Sequence, residues 1–260
     1  MKTILGLLAV AGMAGSAFAD DYTRTLTLQN SASISEYSGL GGRADAGASY
    51  SNVDNFTGFV SQNGGAAGGI TRLQADDINF ARPDLVGQAF RRVTFSVGNL
   101  NAEAVAARVR VRFWFGDGAG GGPGTYYNGV GFTFNPITFQ ANSANLFFFD
   151  PGAGVFAQIA AGQRMWAGMT FDNVGTATTD AQLNNLGQLI FNPAVIGGSA
   201  DALFTTNGAG SFFGAANPAG TITNYGGNPV ANLGWEFVVP APTSLALLGL
   251  GGLVVGRRRR

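Results

Sequence analysis

Between Val105 and Phe115 apolar and polar residues alternate without a break. Val105, Ala107, Val109, Val111, Phe113 and Phe115 fall on one side, and Arg108, Arg110, Arg112 and Trp114 on the other. Successive side chains of an extended chain leave on opposite faces, whereas a helix returns to one face every 3.6 residues. The stretch therefore reads as a strand of an antiparallel sheet with one face buried. Phe90 to Val97 repeats the pattern with Val93, Phe95 and Val97 inward, and Gly98-Asn99-Leu100-Asn101 supplies a turn after it.

Further strands are predicted at Tyr22 to Leu28, Asn55 to Val60, Val130 to Phe134, Ile137 to Gln140, Asn145 to Phe149, Val155 to Ile159, Arg164 to Phe171, Gln188 to Phe191 and Trp235 to Val239. Asn63-Gly64, Asn128-Gly129, Asp150-Pro151-Gly152 and Asn207-Gly208 are turn formers between them. Phe134-Asn135-Pro136 and Phe191-Asn192-Pro193 read as turns that follow strands, and the glycine-rich passages 64–69 and 116–124 as surface loops. Ala181 to Leu189 is the one helical candidate. Abundant glycine (41) and phenylalanine (21) with only 12% charged residues suit short strands, tight turns and large inward side chains. The expected fold is all-β: a single antiparallel β-sandwich or jelly roll.

The chain has no cysteine and no histidine. Disulfides, thiol nucleophiles, Cys-based zinc sites and the commonest general base are thereby excluded. Glycosidase chemistry with two carboxylates remains open to the inventory, but no spacing nominates a pair, and no enzyme is expected. Lys2 and Arg257 to Arg260 lie at the two ends. The segment from Asp20 to Val239 then holds ten arginines against 15 acids, a net charge of −5. A nucleic-acid partner is not expected of such a segment.

Met1-Lys2-Thr3, an apolar run from Ile4 to about Ala14, and Ala17-Phe18-Ala19 before Asp20 have the three parts of a secretory signal. Small residues at Ala17 and Ala19 fit signal peptidase, with Asp20 as the mature N-terminus. At the other end Pro240-Ala241-Pro242 precedes an apolar run from Thr243 to Gly256 and then Arg257, Arg258, Arg259 and Arg260. As a helix that run would span about 21 Å, short of a hydrocarbon core of roughly 30 Å, and snorkelling arginines would complete a transient membrane anchor. The positive-inside rule keeps those arginines cytoplasmic and everything before them outside. Over residues 239–260 the chain resembles the PEP-CTERM family of exosortase substrates, with Pro-Ala-Pro where the family has Pro-Glu-Pro. The resemblance implies export, anchoring by the tail, and transfer to the cell surface or extracellular polymer after cleavage by an exosortase-like enzyme. The predicted organisation is thus a signal helix (1–19), a β-sandwich ectodomain (20–238) and a sorting tail with a short transmembrane helix (239–260).

Within the ectodomain, Arg108, Arg110 and Arg112 project side by side. They can either bind an anionic polysaccharide or pair with acids on neighbouring strands. Trp114, Tyr126 and Tyr127 flank the glycine loop and are candidates for stacking on sugar rings, whereas Trp166 and Trp235 read as filling the core or its edge. Gly116-Asp117-Gly118 lacks both the ending of a P-loop and the acidic spacing of a calcium loop, which leaves a turn as its default reading. Any calcium ligands would come from Asp76, Asp77, Asp117, Asp150 and Asp172. Two functional expectations follow: a structural or adhesive surface protein, and an extracellular polysaccharide-binding module, calcium-assisted or not.

Overall fold

The computed structural model describes residues 23–26, 29–33, 47–152, 154, 156–160, 162–210, 216–226 and 232–239. The signal segment and the tail from Pro240 onward, with the sites assigned to them, lie outside the described residues. No described helix is long and apolar enough to cross a membrane.

The strands in chain order are β1 (Thr23–Leu26), β2 (Gln29–Ser33), β3 (Ala48–Ser51), β4 (Phe56–Gln62), β5 (Gln74–Asn79), β6 (Arg92–Asn99), β7 (Val105–Phe115), β8 (Tyr126–Phe134), β9 (Ile137–Phe139), β10 (Ser143–Phe149), β11 (Arg164–Asp172), β12 (Leu186–Phe191), β13 (Ala202–Thr206), β14 (Gly220–Asn224) and β15 (Trp235–Val238). One eight-stranded sheet runs β1-β8-β7-β11-β5-β13-β14, with β9 also on β7. The other, seven-stranded, runs β2-β10-β6-β12-β4, with β15 joining β6 to β3. The fold is all-β and sandwich-like. Pairing is antiparallel except between β1 and β8, which run parallel, so the expectation of a purely antiparallel sheet needs that correction.

The alternation of β7 sets the interior as predicted. Val105, Ala107, Val109, Val111 and Phe113 are buried, and across the gap so are Val93, Phe95 and Val97 of β6. On β11, Ala167 lies opposite Phe113 and Met169 opposite Val111, so a small residue faces the largest one in that layer. Rings fill the space between the sheets: Phe113 stacks on Phe156 at 4.4 Å, Phe132 meets Phe149 at 4.7 Å, and Trp235 lies 6.1 Å from both Phe95 and Phe113. Such pairs contribute about 0.5–1.5 kcal/mol each beyond the area they bury.

Three local expectations are corrected. The helix predicted over Ala181 to Leu189 is a single turn, α1 (Asp180–Leu183). A capping box between Thr179 and Gln182 starts it, and the chain then turns into β12. Asn128-Gly129 is no turn but lies within β8. Trp114 pairs with Tyr126 and Arg112 with Gly131, so a bulge in the β7–β8 register absorbs the extra residues. Phe156 and Ala157 form no regular strand, although a bridge to Ala89 brings Phe156 into the core.

Candidate functional site

The face of the large sheet that points away from the interior carries the arginines. In the β7–β11 register Arg108 lies opposite Asp172, Arg110 opposite Thr170, Arg112 opposite Gly168 and Trp114 opposite Trp166. Asp172 is almost wholly buried. Its carboxylate accepts from Arg108 Nε at 2.7 Å and Nη2 at 3.2 Å, from Arg110 Nε, and from the Val174 N–H at 3.0 Å. Burial lowers the Arg110 pKa while Asp172 acts to raise it. Of the two readings of the arginine row, pairing with an acid on the adjacent strand is the geometry observed for Arg108 and Arg110.

Arg112 and Trp114 are not at the surface. Arg112 is fully buried, and its Nη1 donates to the carbonyls of Val111 at 2.8 Å and Phe132 at 3.2 Å. Gly131 makes the room: a Cβ there would lie 2.7 Å from Arg112 Nη1 and 2.6 Å from the Tyr126 hydroxyl. Trp114 joins Trp166, Leu73, Ala75, Ala202 and Phe204 in a second apolar cluster on this outer side. Gly168 permits the packing, since a Cβ on it would come within 3.0 Å of both Leu73 and Trp114. Tyr127 is also buried, its hydroxyl donating to Ala157 O at 2.8 Å. The expected outward placement of Trp114 is therefore corrected. Of the six residues proposed for glycan contact, Arg108, Arg110 and Tyr126 keep partial exposure.

The candidate calcium ligands also separate. Asp117 clips its own loop, accepting from the Thr125 N–H at 2.6 Å and Thr125 Oγ1 at 2.7 Å, and these bonds hold its carboxyl below the usual range. The glycine passage is thus closed as a turn. Asp150 caps a turn through the Gly152 N–H at 2.7 Å, and Asp172 belongs to the arginines. Only Asp76 and Asp77 of the five come together. Asn79 bridges Gly198 while Asp76 pairs with Leu203, so five steps of chain oppose three and the 199–202 segment bulges. Adjacent strand residues normally diverge, but this bulge sets Ser199 where both carboxylates reach it. Ser199 Oγ lies 3.0 Å from Asp76 Oδ1, 3.3 Å from Asp77 Oδ1, 3.1 Å from Asn232 Oδ1 and 3.2 Å from Ala200 O.

Backbone N–H groups hold both carboxylates. Leu233 N–H donates to Asp76 Oδ2 at 2.7 Å, and Ala200 N–H to Asp77 Oδ1 at 2.9 Å. Asp77 Oδ2 faces Asn79 Nδ2 and Arg164 Nε, both at 3.3 Å. Burial, and then the neighbouring Asp77, push the Asp76 carboxyl well above the usual carboxylate range. Burial also raises Asp77, against the opposing charge of Arg164. Ser199 and Asn232 carry no motif that would have nominated them from sequence. The adjacent acids at 76 and 77 were the only legible part. Against this geometry, no family model, no curated protein and no solved structure matches the chain.

Proposed function

We propose that the chain is an exported bacterial surface or extracellular-matrix protein with a structural or adhesive role. On this reading signal peptidase cuts after Ala19, one jelly-roll-like sandwich over 20–238 forms the ectodomain, and the tail from Val239 to Arg260 sorts it through an exosortase-like enzyme. The observation that carries the reading is the order of the tail, Pro240-Ala241-Pro242, an apolar run, then Arg257 to Arg260, at the opposite end from the Ala17/Ala19 cleavage pattern. An aromatic interior closed between two sheets, in a chain without cysteine or histidine, supports a scaffold more than a catalyst. Intact-mass spectrometry of the protein from cells and culture medium tests this. The expected species begins at Asp20 and ends between Pro240 and Thr243, whereas a chain retaining Arg260 in every fraction would sink the sorting role.

The second reading, a polysaccharide-binding module, draws on Arg108, Arg110 and Tyr126 as the partly exposed members of one sheet face. Retardation in an affinity gel containing an anionic polysaccharide, lost in Arg108→Ala, would favour it. Equal mobility with and without the polymer would remove it.

A further inference from the structure

More oxygens converge on Ser199 than its hydroxyl hydrogen and the Ala200 N–H on Asp77 Oδ1 can serve. A serine hydroxyl carries one hydrogen, yet four acceptor oxygens stand 3.0–3.3 Å from Ser199 Oγ: those of Asp76, Asp77, Asn232 and Ala200. Turning the Asn232 amide over would supply one more donor and still leave oxygens facing oxygens. Close to the same point is the Tyr50 hydroxyl. It is wholly buried, Asp76 and Asp77 are the charges acting on it, Ser199 and Asn52 are the side chains within reach of it, and none of them meets it in a well-formed hydrogen bond. Asn52 Oδ1 is likewise buried and unpartnered, while its Nδ2 is turned away to the carbonyls of Phe191 and Leu233. A buried hydroxyl left without a partner costs about 1–3 kcal/mol, so a group that accepts contacts from oxygens alone would be stabilising here.

We propose that Asp76, Asp77, Ser199, Asn232 and Tyr50 form a binding site for a calcium ion. Oxygen ligands at about 2.4 Å from such an ion stand roughly 2.8–3.4 Å from one another, which is the spacing found around Ser199 Oγ. The two carboxylates offer charge to a divalent ion, and Arg164, 38% exposed, meets Asp77 at Oδ2, the oxygen that does not face Ser199. Among the described residues no group of three or more His, Cys, Asp or Glu assembles, so the set is two acids with neutral oxygens. That composition suits a hard, geometrically tolerant cation and not zinc or copper. Ser199 and Gly198 are half-buried, and the space beside Gly198 is open, which gives the ion a route in. Once bound, it joins β3, β5, the segment before β13 and the segment before β15, four pieces of chain far apart in sequence. The inference does not depend on export or on the sorting tail.

The test uses the full chain with CaCl2 as the probe, against MgCl2 and NaCl at matched ionic strength. Calcium at millimolar concentration raises the thermal midpoint by about 3 °C at tenfold excess over its dissociation constant, and magnesium, which demands a rigid octahedron, does not. Terbium in place of calcium gives emission sensitised by Tyr50, displaced by excess calcium. Both responses vanish in Asp76→Asn. Where Asp76→Asn fails to fold, Ser199→Ala is the second variant, with calcium affinity weakened about fivefold or more. No calcium-specific shift in the wild type, a shift retained in Asp76→Asn, or unchanged affinity in Ser199→Ala overturns the proposal. In the first case the cluster is held by a proton on Asp76 instead.

Discussion

Asp172→Ala removes the carboxylate that Arg108 and Arg110 share, and its cost separates a ridge built for the fold from one free to take a ligand. An exposed ion pair contributes about 0–1 kcal/mol, because water solvates both charges whether or not they meet. Removing one partner of a buried pair costs about 3–5 kcal/mol, because the remaining charge stays desolvated. Asp172 is 1% exposed and its arginines 22% and 16%, which places the site near the buried limit with some room for the guanidinium groups to rehydrate. The Val174 N–H also loses its acceptor. We expect a loss of about 3–4 kcal/mol for Asp172→Ala, and about half that for Asp172→Asn, which keeps the shape and one acceptor. With a urea dependence of about 2 kcal/mol per molar, the denaturation midpoint falls by about 1.5–2 M and about 1 M respectively. The differences persist in 0.5 M NaCl, since salt screens buried charges weakly. A loss below about 1 kcal/mol, or one that disappears in salt, would return both arginines to the surface as ligand contacts.

Trp114→Ala should cost about 3–5 kcal/mol in urea denaturation, as expected for emptying a wholly buried aromatic site. A loss under 1 kcal/mol would mean the ring is a surface platform after all. Gly168→Ala drives a methyl against Leu73 and Trp114 and should cost about 1–3 kcal/mol with an altered near-ultraviolet dichroism, while Gly208→Ala, with nothing within 4 Å, stays within about 0.5 kcal/mol. Equal effects from the two would contradict the packing of the outer cluster. In EDTA, Asp76→Asn should gain stability over the wild type as pH rises. The folded carboxyl is raised above its unfolded value near 3.8 by burial and by Asp77, so the stabilisation from its proton is complete below that value and lost as pH climbs through the folded one. Tyr50, Asp77 and its partner Arg164 are the other titratable groups facing it. A constant deficit for the variant at pH 4 and pH 7.5 would show that the carboxylate form is the native one.

The strands most legible in sequence are those whose second face is polar, whether or not that face is covered. β6 and β7 alternate because polar residues, Thr94 and Ser96 in β6 and the arginines in β7, occupy their other side, although β6 is buried on both faces. β12 reads partly as helix, since Leu186 to Phe191 shows no alternation of apolar and polar residues. β5 was missed for the opposite reason. Gln74-Ala75-Asp76-Asp77-Ile78-Asn79 looks like a polar loop, yet it is a central strand flanked by β11 and β13. Its acids are tolerated inside only because Ser199, Leu233 and Ala200 bring donors to them, and those residues lie more than a hundred positions downstream. Period two reports which face a residue is on. It does not report whether that face is covered, which is why Arg112 and Trp114 were placed in solvent.

Coverage of that outer face bears on how a chain without cysteine closes its long loops. A disulfide would tie distant segments by one covalent link. Here side-chain amides and carboxylates tie them through backbone groups. Asn63 Nδ2 donates to the carbonyls of Arg72 and Met169, and Asn99 Nδ2 donates to those of Glu103, Phe139 and Gln140. Each such tie is worth about 1 kcal/mol in net terms, but removing one end exposes several buried partners at once. The Asp76–Asp77 cluster differs from these in kind. Its oxygens are held close together without enough hydrogens between them, so its contribution depends on what occupies the centre. A fold stapled by neutral hydrogen bonds at Asn63 and Asn99 responds little to its surroundings. One stapled by a cation or a proton at Ser199 ties its stability to the calcium or the pH outside.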